Sequence, residues 1–268
     1  MRVQIPSAPP GTLKYPKIKV EEINEKSLPL GVVYEPRAES FLRHHPSKKP
    51  KKIKKFSTLC YTPLMLLDLT HTITSQTPPF PGDPHPELTQ TSFIATAGYN
   101  EFQIKTGMHI GTHMDAPLHM IPNGKRLSAY PPERFFGTGH LVDARDKVIS
   151  PDLLEGMKIS RGDFVFVCTG FSSKFGTEEY FNDYPEITPA FAEALVSIGV
   201  GAVGMDTPSP DRAPFEIHKI LLGHDILIIE NLANPDHLLP WKNGFKVTAL
   251  PAKFDTEAAP VRVIVETA

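Results

Sequence analysis

Residues 109–119 read His-Ile-Gly-Thr-His-Met-Asp-Ala-Pro-Leu-His, and this run restricts its own backbone more than any other part of the 268-residue chain. Three histidines and a carboxylate, His109, His113, Asp115 and His119, all fall on odd positions. A helix would put 109 and 113 on one face but carry 115 and 119 well around the cylinder. Gly111, Thr112 and Pro117 are poor helix material besides. An extended chain projects all four polar groups to one side. A flat strand, however, holds residues four apart about 13 Å from each other, too far to share one ion. The backbone must therefore bend, and Gly111 and Pro117 are the places for it. The run predicts a strand end entering a kinked loop, with its polar side chains gathered inward. One such histidine alone would more often be a hydrogen-bonded core residue. Four donors of one parity make a candidate site for a borderline divalent ion such as zinc or manganese.

A hydrophobic content of 40% and a net charge of −2 suit a globular enzyme, and 28 prolines promise many loops. No apolar run approaches the roughly 20 residues that span a bilayer, so the expectation is a cytoplasmic protein with no membrane partner. Cys60 and Cys168 form no disulfide framework. Charge divides the chain. Residues 1–60 hold 13 Lys/Arg and 5 Asp/Glu, a surplus of 8, whereas the remainder holds 15 and 25, a deficit of 10. The run Lys48-Lys-Pro-Lys-Lys-Ile-Lys-Lys55 reads as a solvated segment more readily than as a nucleic-acid patch. The acidic balance of the rest argues against a nucleic-acid partner. Residues 1–64 are thus expected to be a disordered basic extension, or the product of a start codon placed too far upstream, with one domain over 65–268.

Within that domain, Met65–Ile73 is strand-like and leads into the turn-rich 78–84. Strands are expected over 102–108, feeding the histidine run, and over 139–143, 164–169, 200–205, 226–229 and 261–265. Ser150 with Pro151 signals a helix start, and 188–198 reads as a helix capped by Thr188, begun at Pro189 and closed by Gly199. Strands outnumber helices, which predicts a mixed α/β domain around a substantial sheet or partial barrel. Gly199-Val-Gly201-Ala-Val-Gly204 matches a dinucleotide fingerprint only by letter, since the helix precedes the strand rather than following it. A serine after the strand in Gly170-Phe-Ser-Ser-Lys lacks a second glycine and an evident base, so a serine hydrolase is a weak alternative.

Distant residues are needed to complete a metal site. Glu230 ends the apolar run 226–229, where a carboxylate is costly unless paired or bound to a cation; the alternative is a surface residue past the strand end. His218 stands twelve residues earlier and is equally compatible with an exposed helix face.

Together, His109-x-Gly-Thr-His113-x-Asp115-x-Pro-x-His119, Asp206-Thr-Pro-Ser and His218…Glu230-Asn-Leu strongly resemble the cyclase-like metal hydrolases, which include bacterial kynurenine formamidases and isatin hydrolases. The resemblance covers about residues 65–268. It implies a β-rich swivelling β/β/α fold and a homodimer or higher homo-oligomer. It also implies one or two divalent ions per subunit, zinc first and manganese as the alternative. By the same resemblance His109, His113 and Asp115 bind a first ion, Asp115 bridges to a second completed by His218 and Glu230, and His119 is the proton donor and acceptor. The formamidases carry a substrate-contacting tryptophan before a Pro-Gly-Asp turn. Here Phe80 stands at that position, which departs from the pattern for N-formylkynurenine. The expected activity is hydrolysis of a small amide or cyclic amide. The alternatives are an isatin or lactone hydrolase or a cyclase of the same family, or a metal-binding protein without turnover.

Overall fold

The computed structural model describes residues 64–267. The lysine run, Cys60 and all of the expected extension except Leu64 lie outside the described residues.

Apolar alternation builds the central layer. In the strand Phe164–Cys168, which we number β6, Phe164, Phe166 and Cys168 enter one core while Val165 and Val167 enter another. Both faces are covered, which is why the run is apolar without interruption. Each fully buried phenylalanine contributes about 1.5–3 kcal/mol of burial. Parallel neighbours of β6 are β5 (Phe136–Asp143) and β7 (Ala202–Met205), and β7 pairs in parallel with β8 (Leu227–Glu230). Three antiparallel strands complete the circuit: β4 (His113–Asp115), β9 (Asn243–Pro251) and β10 (Ala258–Thr267). The order β10-β4-β8-β7-β6-β5-β9 closes because β9 pairs back onto β10. The result is a mixed α/β domain around a closed seven-stranded barrel, with β1 (Met65–Asp68) added antiparallel to the C-terminal half of β10.

Inside the barrel, Phe166 stacks on Phe245 with ring centroids 6.0 Å apart and shares one core with Val247 and Ala249 of β9 and the valines at 261, 263 and 265 of β10. Outside it, after the short helices Ile94–Ala97 (α1) and Glu178–Asn182 (α2), two longer helices cover the parallel strands. Pro189–Ile198 (α3) is begun and ended as its sequence predicts: Thr188 Oγ1 accepts from Phe191 N at 3.3 Å, and Gly199 closes it in the left-handed region. Glu216–Gly223 (α4) buries Ile217, His218, Leu221 and Leu222. The later glycines of the run that Gly199 begins have packing reasons, as a Cβ on Gly201 would sit 2.4 Å from the Gly162 carbonyl oxygen and one on Gly204 2.7 Å from the Phe166 ring.

Two elements differ from expectation. The strand over 102–108 ends at Lys105 and leaves the barrel altogether. Glu101–Lys105 (β3) pairs only with Glu87–Ser92 (β2) in a separate hairpin, joined by the single helical turn Ile94–Ala97. The helix start at Ser150 yields one 3-10 turn, Pro151–Leu154, without a side-chain cap. Among the described residues no helix is long and apolar enough to cross a membrane.

Candidate metal centre

The face of a strand is decided by parity. Met114 and Ala116 point into the barrel core, so His113 and Asp115 point to its outer face. Across the β4–β8 pair, His113 stands opposite Glu230 and Asp115 opposite Ile228. Glu230 therefore shares the outer face with them, at the carboxyl end of β8. Gly111, at φ +57, makes the turn before β4 that a side chain would strain. The second bend falls at Pro117, where the 3-10 turn Pro117–His119 begins. These are the two bends expected from the sequence, although the strand follows Gly111 rather than preceding it.

The folding gathers six polar groups. His109 Nδ1 lies 3.0 Å from Asp115 Oδ1, and His113 Nε2 lies 3.6 Å from the same oxygen and 3.1 Å from Glu230 Oε2. His218 Nε2, reaching in from α4, is 3.3 Å from Glu230 Oε1 and 3.9 Å from Asp115 Oδ2. The His119 ring stacks obliquely on His109, with centroids 4.2 Å apart, and lies 5.6 Å from the His218 ring. Two overlapping ligand groups result: His109, His113 and Asp115, and Asp115, His119 and His218.

Three buried atoms in this cluster, His113 Nε2 and both oxygens of Asp115, have no hydrogen-bond partner. Buried polar atoms are rarely left so, and an unpaired buried carboxylate is especially costly. A divalent cation satisfies all three, and the mixed imidazole and carboxylate donors suit one. The residues present thus fit the expected metal.

Neighbouring groups fix which nitrogen faces the centre. His218 Nδ1 donates to Asp211 Oδ1 at 2.6 Å, and the other Asp211 oxygen accepts from Ile217 N at 2.6 Å, which leaves Nε2 free. His113 Nδ1 donates to the Gly111 carbonyl at 2.8 Å, with the same outcome. That carbonyl also accepts from Asn231 Nδ2 at 3.0 Å, and Tyr180 Oη donates to Asn231 Oδ1 at 2.7 Å. Asp211 and Tyr180 carry no sequence signal for this role. Asn231 adjoins Glu230 and was visible only as part of the longer motif. Asp206, from the same motif, accepts from Thr169 N, Thr169 Oγ1 and Gly170 N at 2.7–2.9 Å, and so braces the loops rather than joining the cluster.

The electrostatics are those of a trap for positive charge. Burial disfavours charge on His109, but Asp115, Glu230 and Glu257 outweigh it and hold its pKa at about 9. His218 is held at about 10 against its burial by Asp211, Glu230 and Asp115. Asp115 is pushed down despite complete burial by His109 and His113. His119 alone among the four histidines is held below its ordinary value, by burial and by its cationic neighbours His109 and His218, against the pull of Asp115.

A cavity of about 300 Å³ opens on this cluster. Phe80, Phe181 and Phe215 line it, with the Phe80 and Phe181 rings edge to face at 6.3 Å, and none of the described lining residues is Lys or Arg.

Residues 67–212 match the family model of putative cyclases. The chain belongs to the cyclase family. Among its relatives, an uncharacterised protein of Methanocaldococcus jannaschii is 34% identical over 200 residues, covering 74% of this chain and 97% of that protein. A kynurenine formamidase of Bordetella avium is 32% identical over 206 residues, covering 74% and 96%. The cyclase-family fold extends to isatin hydrolase A from Labrenzia aggregata, a structure bound to benzyl benzoate, with a TM-score of 0.68 and 24% identity over 76% of this chain and 94% of that one.

Proposed function

We propose that this cyclase-family protein is a metal-dependent hydrolase that opens a small aryl amide or cyclic amide. The observation that carries the proposal is the Asp115 carboxylate, fully buried with neither oxygen hydrogen-bonded and three histidines around it, beside a cavity with aromatic walls. His109, His113, Asp115, His218 and Glu230 would hold the metal, zinc first for this donor set and manganese second. A divalent ion there supplies a Lewis acid for the carbonyl and a nucleophilic water near neutral pH.

The chain's own residues do the rest. Phe80, Phe181 and Phe215 bind a flat ring and exclude water from it. His119 stays neutral at physiological pH, so its imidazole accepts the proton from the attacking water and returns it to the departing nitrogen. The formamidase relative supports an open-chain amide. The isatin hydrolase fold supports a cyclic one as the second reading, and lactones belong in the same screen. A closed structural site would not need the adjoining cavity, which speaks against metal storage without turnover. The outer helices over the barrel agree with the swivelling β/β/α arrangement expected for the family, and we place the protein in the cytoplasm.

The test is a screen of zinc- and manganese-loaded protein against N-formylkynurenine, isatin, simple aryl formamides and lactones. Turnover of an amide that is abolished by chelation and restored by metal supports the proposal. Tight metal binding with no turnover of any of these substrates would overturn it.

A further inference from the structure

Of the three histidines that would hold the metal, two have their outward nitrogen already bonded: His113 Nδ1 to the Gly111 carbonyl and His218 Nδ1 to Asp211. His109 is turned the other way. Its Nδ1 stands 3.0 Å from Asp115 Oδ1, so Nε2 is the nitrogen left for an outer partner. Glu257 Oε1 lies 3.6 Å from that nitrogen. Position 257 belongs to none of the motifs read from the sequence, and it is the last residue before β10. Among the described residues no Lys or Arg pairs with Glu257, and its one ion-pair partner is His109.

We propose that Glu257 is a positioning residue for His109: its carboxylate accepts the Nε2–H bond and holds the ring with Nδ1 turned to the metal. A ligating histidine ordinarily donates its other N–H to a carboxylate or carbonyl, which fixes both tautomer and ring plane. Glu257 gives His109 what Gly111 gives His113 and Asp211 gives His218. Its backbone is anchored for this. The Glu257 carbonyl accepts from Ala116 N at 2.8 Å, and the next residue, Ala258, stands opposite Asp115 across the β10–β4 pair. The carboxylate is thus tied to the segment that carries Asp115. Its side chain is half-buried, which leaves it room to close by about 0.5 Å into a hydrogen bond once the ring is held.

The role rests on the metal reading proposed above, and testing it needs no substrate. Zinc affinity of the full chain, by competition with a fluorescent chelator, is the first readout. Glu257→Ala should weaken zinc binding about 10- to 100-fold, as loss of the carboxylate behind a ligating histidine does. Glu257→Gln keeps an accepting oxygen without the charge and should fall between the Ala variant and the wild type. Asp255→Asn removes a carboxylate from the same loop, one that accepts from Ser128 Oγ, and should leave affinity unchanged. Nitrogen NMR of the zinc-loaded wild type with isotopically labelled histidines is the second readout. His109 should show a metal-bound Nδ1 and a protonated Nε2, the reverse of His113 and His218. Unchanged affinity in Glu257→Ala, equal losses in Glu257→Ala and Asp255→Asn, or zinc on Nε2 of His109 would each overturn the role. A wild type that took up no zinc would overturn the proposed function with it.

Discussion

His113 and Glu230 stand directly opposite each other across β4 and β8, with His113 Nε2 3.1 Å from Glu230 Oε2. The centre therefore depends on strand register. A slip of one residue would turn His113 and Asp115 into the barrel and Met114 out of it, at a cost that the apolar core does not permit.

Substitutions at three neighbouring positions should separate by what they remove. His113→Ala and Asp115→Ala should lose both bound metal and activity. His119→Ala should keep its metal while turnover falls by about two to four orders of magnitude, as loss of a general acid–base group does. Because His119 also lies within ligand reach beside Asp115 and His218, metal content is the decisive measurement. A metal-free His119 variant would move that residue into the ligand set.

Asp211 holds His218 through Nδ1. Asp211→Asn should weaken metal affinity about 10- to 100-fold, the usual consequence of losing the carboxylate behind a ligating histidine. Titration against a fluorescent chelator measures this, and a melting curve of the same sample shows whether the fold has changed. Unaltered affinity would leave Asp211 as only a brace for the start of α4.

Phe80→Ala should raise KM about tenfold for the best aromatic substrate and change kcat less, the pattern for binding lost equally from ground and transition states. Steady-state kinetics decide it. An unchanged KM would remove Phe80 from the substrate wall.

Two imidazoles set the response to pH. In chelated protein His109 is held at about 9 and His218 at about 10, whereas the unfolded chain gives up these protons near 6.5. Their contribution to stability is complete below pH 6.5 and is lost as pH rises through 9 and then 10. Tm in excess EDTA should accordingly fall between pH 6.5 and 10. Metal uptake must displace the same protons, so apparent affinity should climb over that window. A Tm that rose with pH in EDTA would contradict this account.

A chain beginning at Met65 should fold, bind metal and turn over substrate like the full chain, because β1 starts there and pairs with β10. Circular dichroism and metal analysis of the shortened protein check it. Loss of solubility or metal would place the domain boundary earlier.

Much of the fold was legible where a local rule acts. β6 announced itself as an apolar run between glycines, and α3 by Thr188, Pro189 and Gly199 at its ends. β9 was missed although Phe245, Val247 and Ala249 alternate as buried residues along it, because the stretch opens on Asn-Gly and closes on Pro251. β2 buries no face in the described chain and was missed, whereas the strand expected over 102–108 is present as β3 but pairs with β2 instead of feeding the histidine run. Closure of the barrel was not legible, since it rests on β9 pairing back to β10.

The centre divides in the same way. The amino-acid sequence by itself determined four donors of one parity, the two bends around them and a carboxylate ending an apolar run, because these follow from residue chemistry within a few positions. Residue chemistry left His218 and Glu230, about a hundred residues on, open, and only the family resemblance joined them to Asp115. It is the tertiary structure that sets His218 Nε2 3.9 Å from Asp115 Oδ2 and 3.3 Å from Glu230 Oε1, and that stands Asp211, Asn231 and Tyr180 behind them. Those meetings depend on sheet register and chain closure, which are sums of many weak contacts between distant segments and leave no mark at any single residue.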